Sequence, residues 1–280
     1  MRGTRIGLGL AIVLAGGLAA CGSPTAAAPS VRGVALSHIN WPSKGETIRY
    51  RTTYNMAFTM KNPVAGAPLV HMDDAMTGTL VVTVRPAGAN RAVVTMITED
   101  MAARQGSQAP VPMAALDGVG SRFFVTRDAQ VSASSVVGGQ HLGSTTLHQL
   151  QALFGSFRSE QSVFLSGAPA AVERGQRWTS HKTLNLLGHV ETLTLTNTYE
   201  GPRSNGLLVS EDGTVKMDMG ESFPASATGT FTRTVILEPQ AHFVRSMSGN
   251  ENLHIAVSSS SSGQNLSGSM KVQFVLTEIP

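Results

Sequence analysis

ETIRYRTTYNMAFTMK, from Glu46 to Lys61, alternates with a period of two. Ile48, Tyr50, Tyr54, Met56, Phe58 and Met60 are apolar at even positions, while Thr47, Arg49, Arg51, Thr53, Asn55 and Thr59 are polar at odd ones. Successive side chains of a strand point to opposite faces, so this stretch predicts one long strand with a single buried face. The same rhythm recurs in GTLVVTVRP (78–86), RAVVTMITED (91–100), SRFFVTRDAQV (121–131), QRWTSHKTL (176–184), HVETLTLTNTYEG (189–201), GLLVSED (206–212), GTFTRTVILEP (229–239) and HFVRSMSGN (242–250). Polar turn residues separate them, as an antiparallel meander requires.

The C-terminal region predicts a hairpin. Leu253, Ile255 and Val257 alternate on one arm, and Met270, Val272, Phe274 and Leu276 on the other. Pairing Leu253 with Leu276 places the turn at Gln264-Asn265 and leaves SSSSSG (258–263) as a solvated extension.

One stretch departs from period two. In GSTTLHQLQALFGSFRSEQ, Leu147, Leu150, Phe154 and Phe157 are spaced three, four and three apart, which predicts an amphipathic helix over 143–158. Ser144 or Thr145 can cap its start and Gly155 end or kink it.

A repeat flanks that segment. GETIRYRTTYN (from Gly45) matches GQRWTSHKTLN (from Gly175), GTLVVTVRPAGANRAVVTMITED matches VETLTLTNTYEGPRSNGLLVSED, and SRFFVTRDAQV has a looser partner in GTFTRTVILEP. The expected class is mainly β, of α+β type. Two antiparallel meander halves, about 43–140 and 172–280, flank the central helix in an open-barrel or two-sheet arrangement.

The N-terminal region gives an address. Arg2 and Arg5 precede IGLGLAIVLAGGLAA (6–20), which carries no charge. As a helix it would cover roughly 22 Å, short of the ~30 Å hydrocarbon core. A basic start, a short apolar core and small residues at its end predict a signal peptide over 1–20. Removing its two arginines brings the formal charge from +3 to +1. The remaining charges are scattered, which excludes an electrostatic footprint for nucleic acid.

Leu18-Ala19-Ala20-Cys21 resembles the lipobox of bacterial lipoproteins. The resemblance implies lipid transfer to the sulfur of Cys21, the chain's single cysteine, cleavage before it, and acylation of the new amino group. Two or three acyl chains anchor a protein stably where one is marginal. Gly22 rather than Asp after the cysteine implies the periplasmic face of the outer membrane over the inner membrane. Residues 21–42, rich in small residues and proline, then read as a tether to a domain over 43–280.

The strand starts at Gly45 and Gly175 and the step PAAVERGQRW (169–178) resemble a group of uncharacterised β-rich bacterial envelope lipoproteins. A weaker likeness, of architecture and address, is to LolA/LppX-like lipid carriers, whose half-barrels wrap an acyl ligand.

The sequence carries few groups arranged for chemistry. His71-Met72-Asp73-Asp74 is the densest polar cluster but lacks zinc-site spacing; His141 and His148 lie on or beside the expected helix, and His181 and His189 on one hairpin. Methionines suit Cu(I), but Met56 and Met60 share parity with Tyr50 and Tyr54, and Met217 and Met219 alternate around Asp218. That placement reads as core filling or the lining of an adaptable apolar pocket. Asp73-Asp74, Glu99-Asp100 and Glu211-Asp212 are neighbours, so they read as turn or strand-end charges and not as working dyads. G-x-S-x-G, S-x-x-K and H-E-x-x-H are absent.

The expectation is therefore a membrane-anchored envelope lipoprotein, not an enzyme and without a cofactor. Its partners are the membrane, through lipid on Cys21, and a lipid or other hydrophobic ligand. The alternative is an accessory envelope protein that binds another protein through its β surface. A hydrolase or a copper carrier is a lesser reading.

Overall fold

The structure, a computed structural model, describes residues 33–36, 39–41, 43–61, 69–128, 130–139, 168–186, 189–218, 225–241, 243–258 and 265–280. The described residues fall in one compact unit, Arg32–Pro280. Cys21, the signal-peptide segment 1–20 and the helix expected over 143–158 lie outside them.

Twelve strands form one antiparallel sheet. They are β1 (Glu46–Met60), β2 (Val70–Pro86), β3 (Arg91–Gln105), β4 (Val111–Pro112), β5 (Gly120–Thr126), β6 (Val131–Val137), β7 (Arg177–Leu186), β8 (His189–Arg203), β9 (Gly206–Asp218), β10 (Ala225–Leu237), β11 (Val244–Ser258) and β12 (Asn265–Ile279). Their order is β6-β5-β3-β2-β1-β12-β11-β10-β9-β8-β7, with β4 against β3.

This corrects the expected α+β, two-sheet arrangement. The described residues are almost all strand, and their only helical element is a 3-10 turn, Ala114–Leu116. The halves are not two separate sheets, because β1 and β12 pair along their lengths, from Arg49 opposite Ile279 to Met60 opposite Gly268. That ladder joins the two meanders edge to edge, so each continues the other's apolar face. Both matched segments run across the sheet in the same sense, β5-β3-β2-β1 and β10-β9-β8-β7, which accommodates the sequence repeat within one sheet.

Two local readings also change. VRSMSGN (244–250) and Leu253–Val257 belong to one strand, β11, and Leu253 pairs with Met270 while Leu276 pairs with Met247. The expected hairpin is thus out of register by six residues. An even shift leaves every side chain on its own face, so alternation could not detect it. Gly249-Asn250 looks like a turn but lies mid-strand, because a Cβ at Gly249 would overlap the ring of Phe274.

The face shared by Ile48, Tyr50 and Thr52 is the inner one. Across β2, β3 and β5 it continues through Val82, Val84, Val94, Met96, Phe123 and Val125. Across β12 to β8 it continues through Leu276, Phe274, Met247, Val235, Val209 and Tyr199, and all of these are buried. At one end an arm before β1 covers this core. Leu36, Ile39 and Trp41 are buried in it, and Val34 bridges Val172 through backbone hydrogen bonds of 2.8 Å in both directions. Arg127 holds the arm: its guanidinium lies 4.8 Å over the Trp41 ring and donates to the carbonyls of Ile39 (3.2 Å) and Ala89 (2.9 Å).

At Asp100, φ is 51°, a left-handed conformation that places a bulge in β3 where the register against β2 shifts between Thr77 and Thr79. The bulge turns Met101 over Gly78, where it packs with Leu116 and Val119 in a small second cluster.

Candidate functional site

Burial along the inner face changes from one end to the other. Ile48, Tyr50 and Thr52 on β1 are buried, whereas Tyr54, Met56, Phe58 and Met60 are only half-buried. On β12, Leu276, Phe274 and Val272 are buried, and Met270, Gly268 and Leu266 are half-buried. Ile255 on β11 and Met217 on β9 repeat the trend, and Val70 and Met72 on β2 are exposed. The arm closes one end; towards the other, Leu193, Val215, Ala227 and Leu253 stay buried, while the inner face of β1, β2 and the start of β12 is half-buried or exposed.

Methionine is concentrated on the part of this face that is not fully buried. The register places Met56, Met60, Met72, Met76, Met217 and Met270 all on the inner face. Their flexible, polarizable side chains adapt to irregular apolar shapes. Alternation along β1 alone gives this parity for Met56 and Met60. The cross-strand register is what gathers the others beside them.

Across the middle of the inner face runs a buried polar row. Arg233 on β10 lies opposite Glu211 on β9, and Nε of Arg233 donates to Glu211 Oε2. Their side chains are 2% and 1% exposed. Glu211 lies opposite Asn197, whose amide donates to Ser180 Oγ (3.0 Å) and to the Trp178 carbonyl (3.2 Å). Glu251, one step nearer the open end, is also buried. This corrects the reading of Glu211-Asp212 as turn or strand-end charges: both lie within β9, and Asp212 is exposed but Glu211 faces inward. The signal was available, since Glu211 shares parity with Val209 and Arg233 with Phe231 and Val235.

Deeper in the core, burial is the main cause that pushes the Tyr50 hydroxyl above its usual range, with Glu278 and Glu46 adding to it. Burial, then Glu278 and Glu238, likewise raises the Glu46 carboxyl at the closed end.

The described histidines do not converge. His71 bridges Thr59 Oγ1 and Asp73 Oδ2 at 3.0 Å each on an exposed rim, and His181 meets Thr194 Oγ1 at 3.2 Å across one hairpin. His141 and His148 lie outside the described residues. Among the described residues, no group of three or more His, Cys, Asp or Glu is placed to hold a metal ion, and no helix is long and apolar enough to cross a membrane. Of the acidic neighbours, Asp73 faces outward and Asp74 inward, and Glu99 pairs with Arg49 at 2.6 Å.

On the outer face, strands β1, β2, β11 and β12 and the end of β3 form a polar depression of about 680 Å³. Asn55, Ala57, Lys271, Gln273, Asn250 and Asn252 line it, with Asp73 and Arg104–Ser107 as one wall.

These features define an open, all-antiparallel sheet with an apolar inner face closed at one end. No family model matches the chain, and no curated protein does. Among solved structures it is similar to lipovitellin, described there as "Lipid-protein interactions in lipovitellin", with 12% identity and a TM-score of 0.48 over 86% of this chain and 26% of that one. The chain thus spans about a quarter of the length of that protein. A likeness of this size supports no inference about what the chain binds.

Proposed function

We propose that the protein is a lipid-anchored envelope protein that holds an acyl chain or another amphipath against the methionine-rich part of its inner face. One observation carries the reading: among the described residues, six methionines from β1, β2, β9 and β12 share that face, and none of the six is fully buried. Burying apolar ligand surface there gains roughly 25 cal/mol per Å². Adaptable thioether side chains suit a flexible chain of no fixed shape. The arm under the core makes the site blind at one end, so a ligand enters from the other, tail first.

The anchor rests on the lipobox at Leu18–Cys21. It sets the domain on a tether, within reach of the bilayer that supplies such ligands. Native mass spectrometry of full-length Cys21→Ser protein after gentle extraction tests the ligand. A reproducible lipid adduct supports the proposal, and an adduct-free chain overturns it. Fractionation tests the anchor: Cys21→Ser should leave the membrane fraction, and full retention there would contradict lipidation.

A further inference from the structure

We infer that the outer-face depression is a second binding site, for a neutral oligosaccharide. The register sets its floor in two adjacent rows. Asn55, Gln273 and Asn250 form one across β1, β12 and β11, and Asp73, Ala57, Lys271 and Asn252 form the next from β2 to β11. Arg104–Ser107 walls one side, held by the Gly106 amide, which donates to the Asp73 carbonyl.

The residue types are not what a strand selects for itself. Asparagine is depleted in strands, yet Asn55, Asn250 and Asn252 sit well inside β1 and β11. None gains structure in return. Among the described residues, the side-chain amides of Asn55, Asn250, Asn252 and Gln273 make no hydrogen bond within the protein. Four amides, each with donors and an acceptor, therefore converge on one hollow with their hydrogen bonds available to a ligand.

The chemistry of the hollow selects the ligand class. Of the charged residues that line it, Asp73 faces outward with Arg104 and Lys271 while Asp74 faces inward, which leaves one net positive charge, so a polycation gains no attraction and a polyanion little. The floor strands β1 and β12 are interior to the sheet, with neighbours on both sides, so an extended peptide finds no free edge to pair with. A ligand that donates and accepts at many points without charge fits best, and hydroxyl-rich sugar rings do this. A volume of about 680 Å³ lies within the usual range for small-ligand sites.

The test titrates full-length Cys21→Ser protein with tetra-N-acetylchitotetraose and with maltotetraose by calorimetry. At least one should bind with a dissociation constant of about 1 mM or tighter. Asn55→Thr and Asn252→Thr, which place better strand formers on the same face, should each weaken binding about tenfold or more while the melting temperature holds or rises. Thr192→Ala, exposed on β8 outside the depression, should leave binding unchanged. Absence of binding to both sugars, or equal binding in the Asn variants, overturns the inference. Neither result touches the inner-face proposal, whose ligand and variants are different.

Discussion

Glu211 and Arg233 face each other across β9 and β10 on the inside of the sheet, almost wholly removed from water. Taking two charges out of water costs several kcal/mol per ion, and their attraction returns this only when both are present. Either partner alone is thus a liability, while an apolar pair of similar volume is not.

Glu211→Gln and Arg233→Met singly are therefore expected to cost about 3–5 kcal/mol each, and Glu211→Leu combined with Arg233→Met much less than their sum. Urea denaturation of the four proteins checks this. Additive losses would mean that the pair is not coupled as described.

Gly249 sits under the Phe274 ring, so Gly249→Val should destabilise by about 1–3 kcal/mol or more through overpacking. Phe274→Leu in the same chain should recover part of that loss. The rescue distinguishes steric conflict from a change of strand propensity, which would leave the two effects independent.

Glu46 responds to pH in a defined direction. Its carboxyl is raised above 4.5 by burial first, then by Glu278 and Glu238. The folded state therefore holds the proton more tightly than the unfolded chain. Its contribution is fully present below pH 4.5 and lost as pH rises through the folded value. Glu46→Gln should raise the urea midpoint at pH 7 and lose that advantage by about pH 4. An equal gain at both pH values would contradict the charge origin.

Arg127 stacks on Trp41 and bonds two carbonyls, one of them in the arm. Arg127→Ala should cost about 1–3 kcal/mol and shift the Trp41 emission, read in a Trp178→Phe background. Unchanged emission would mean that Arg127 does not hold the arm.

How much of this could be read in advance depends on what is local. Alternation in Glu46–Lys61 names a strand and its inward face because side-chain direction is a property of the strand itself. The inward charges Glu211, Arg233 and Glu251 were readable by the same parity. The pairing of β1 with β12 was not, since it joins residues from the two ends of the domain and local pattern carries no register. The shift in the β11–β12 hairpin shows this directly: Leu253 meets Met270, and both alternatives keep the same face inside. The outer depression was the least legible. Asn55, Asn250 and Asn252 become neighbours only through two ladders and the curvature of the sheet.

The central claim is that the methionine-bearing part of the inner face holds an amphipath, and a titration of delipidated Cys21→Ser protein with the fluorescent fatty acid cis-parinaric acid tests it most directly. Saturable enhancement is expected, abolished by Met270→Glu on the inner face and retained by Thr59→Glu on the opposite face of the neighbouring strand. No saturable signal, or equal loss in both variants, would contradict it.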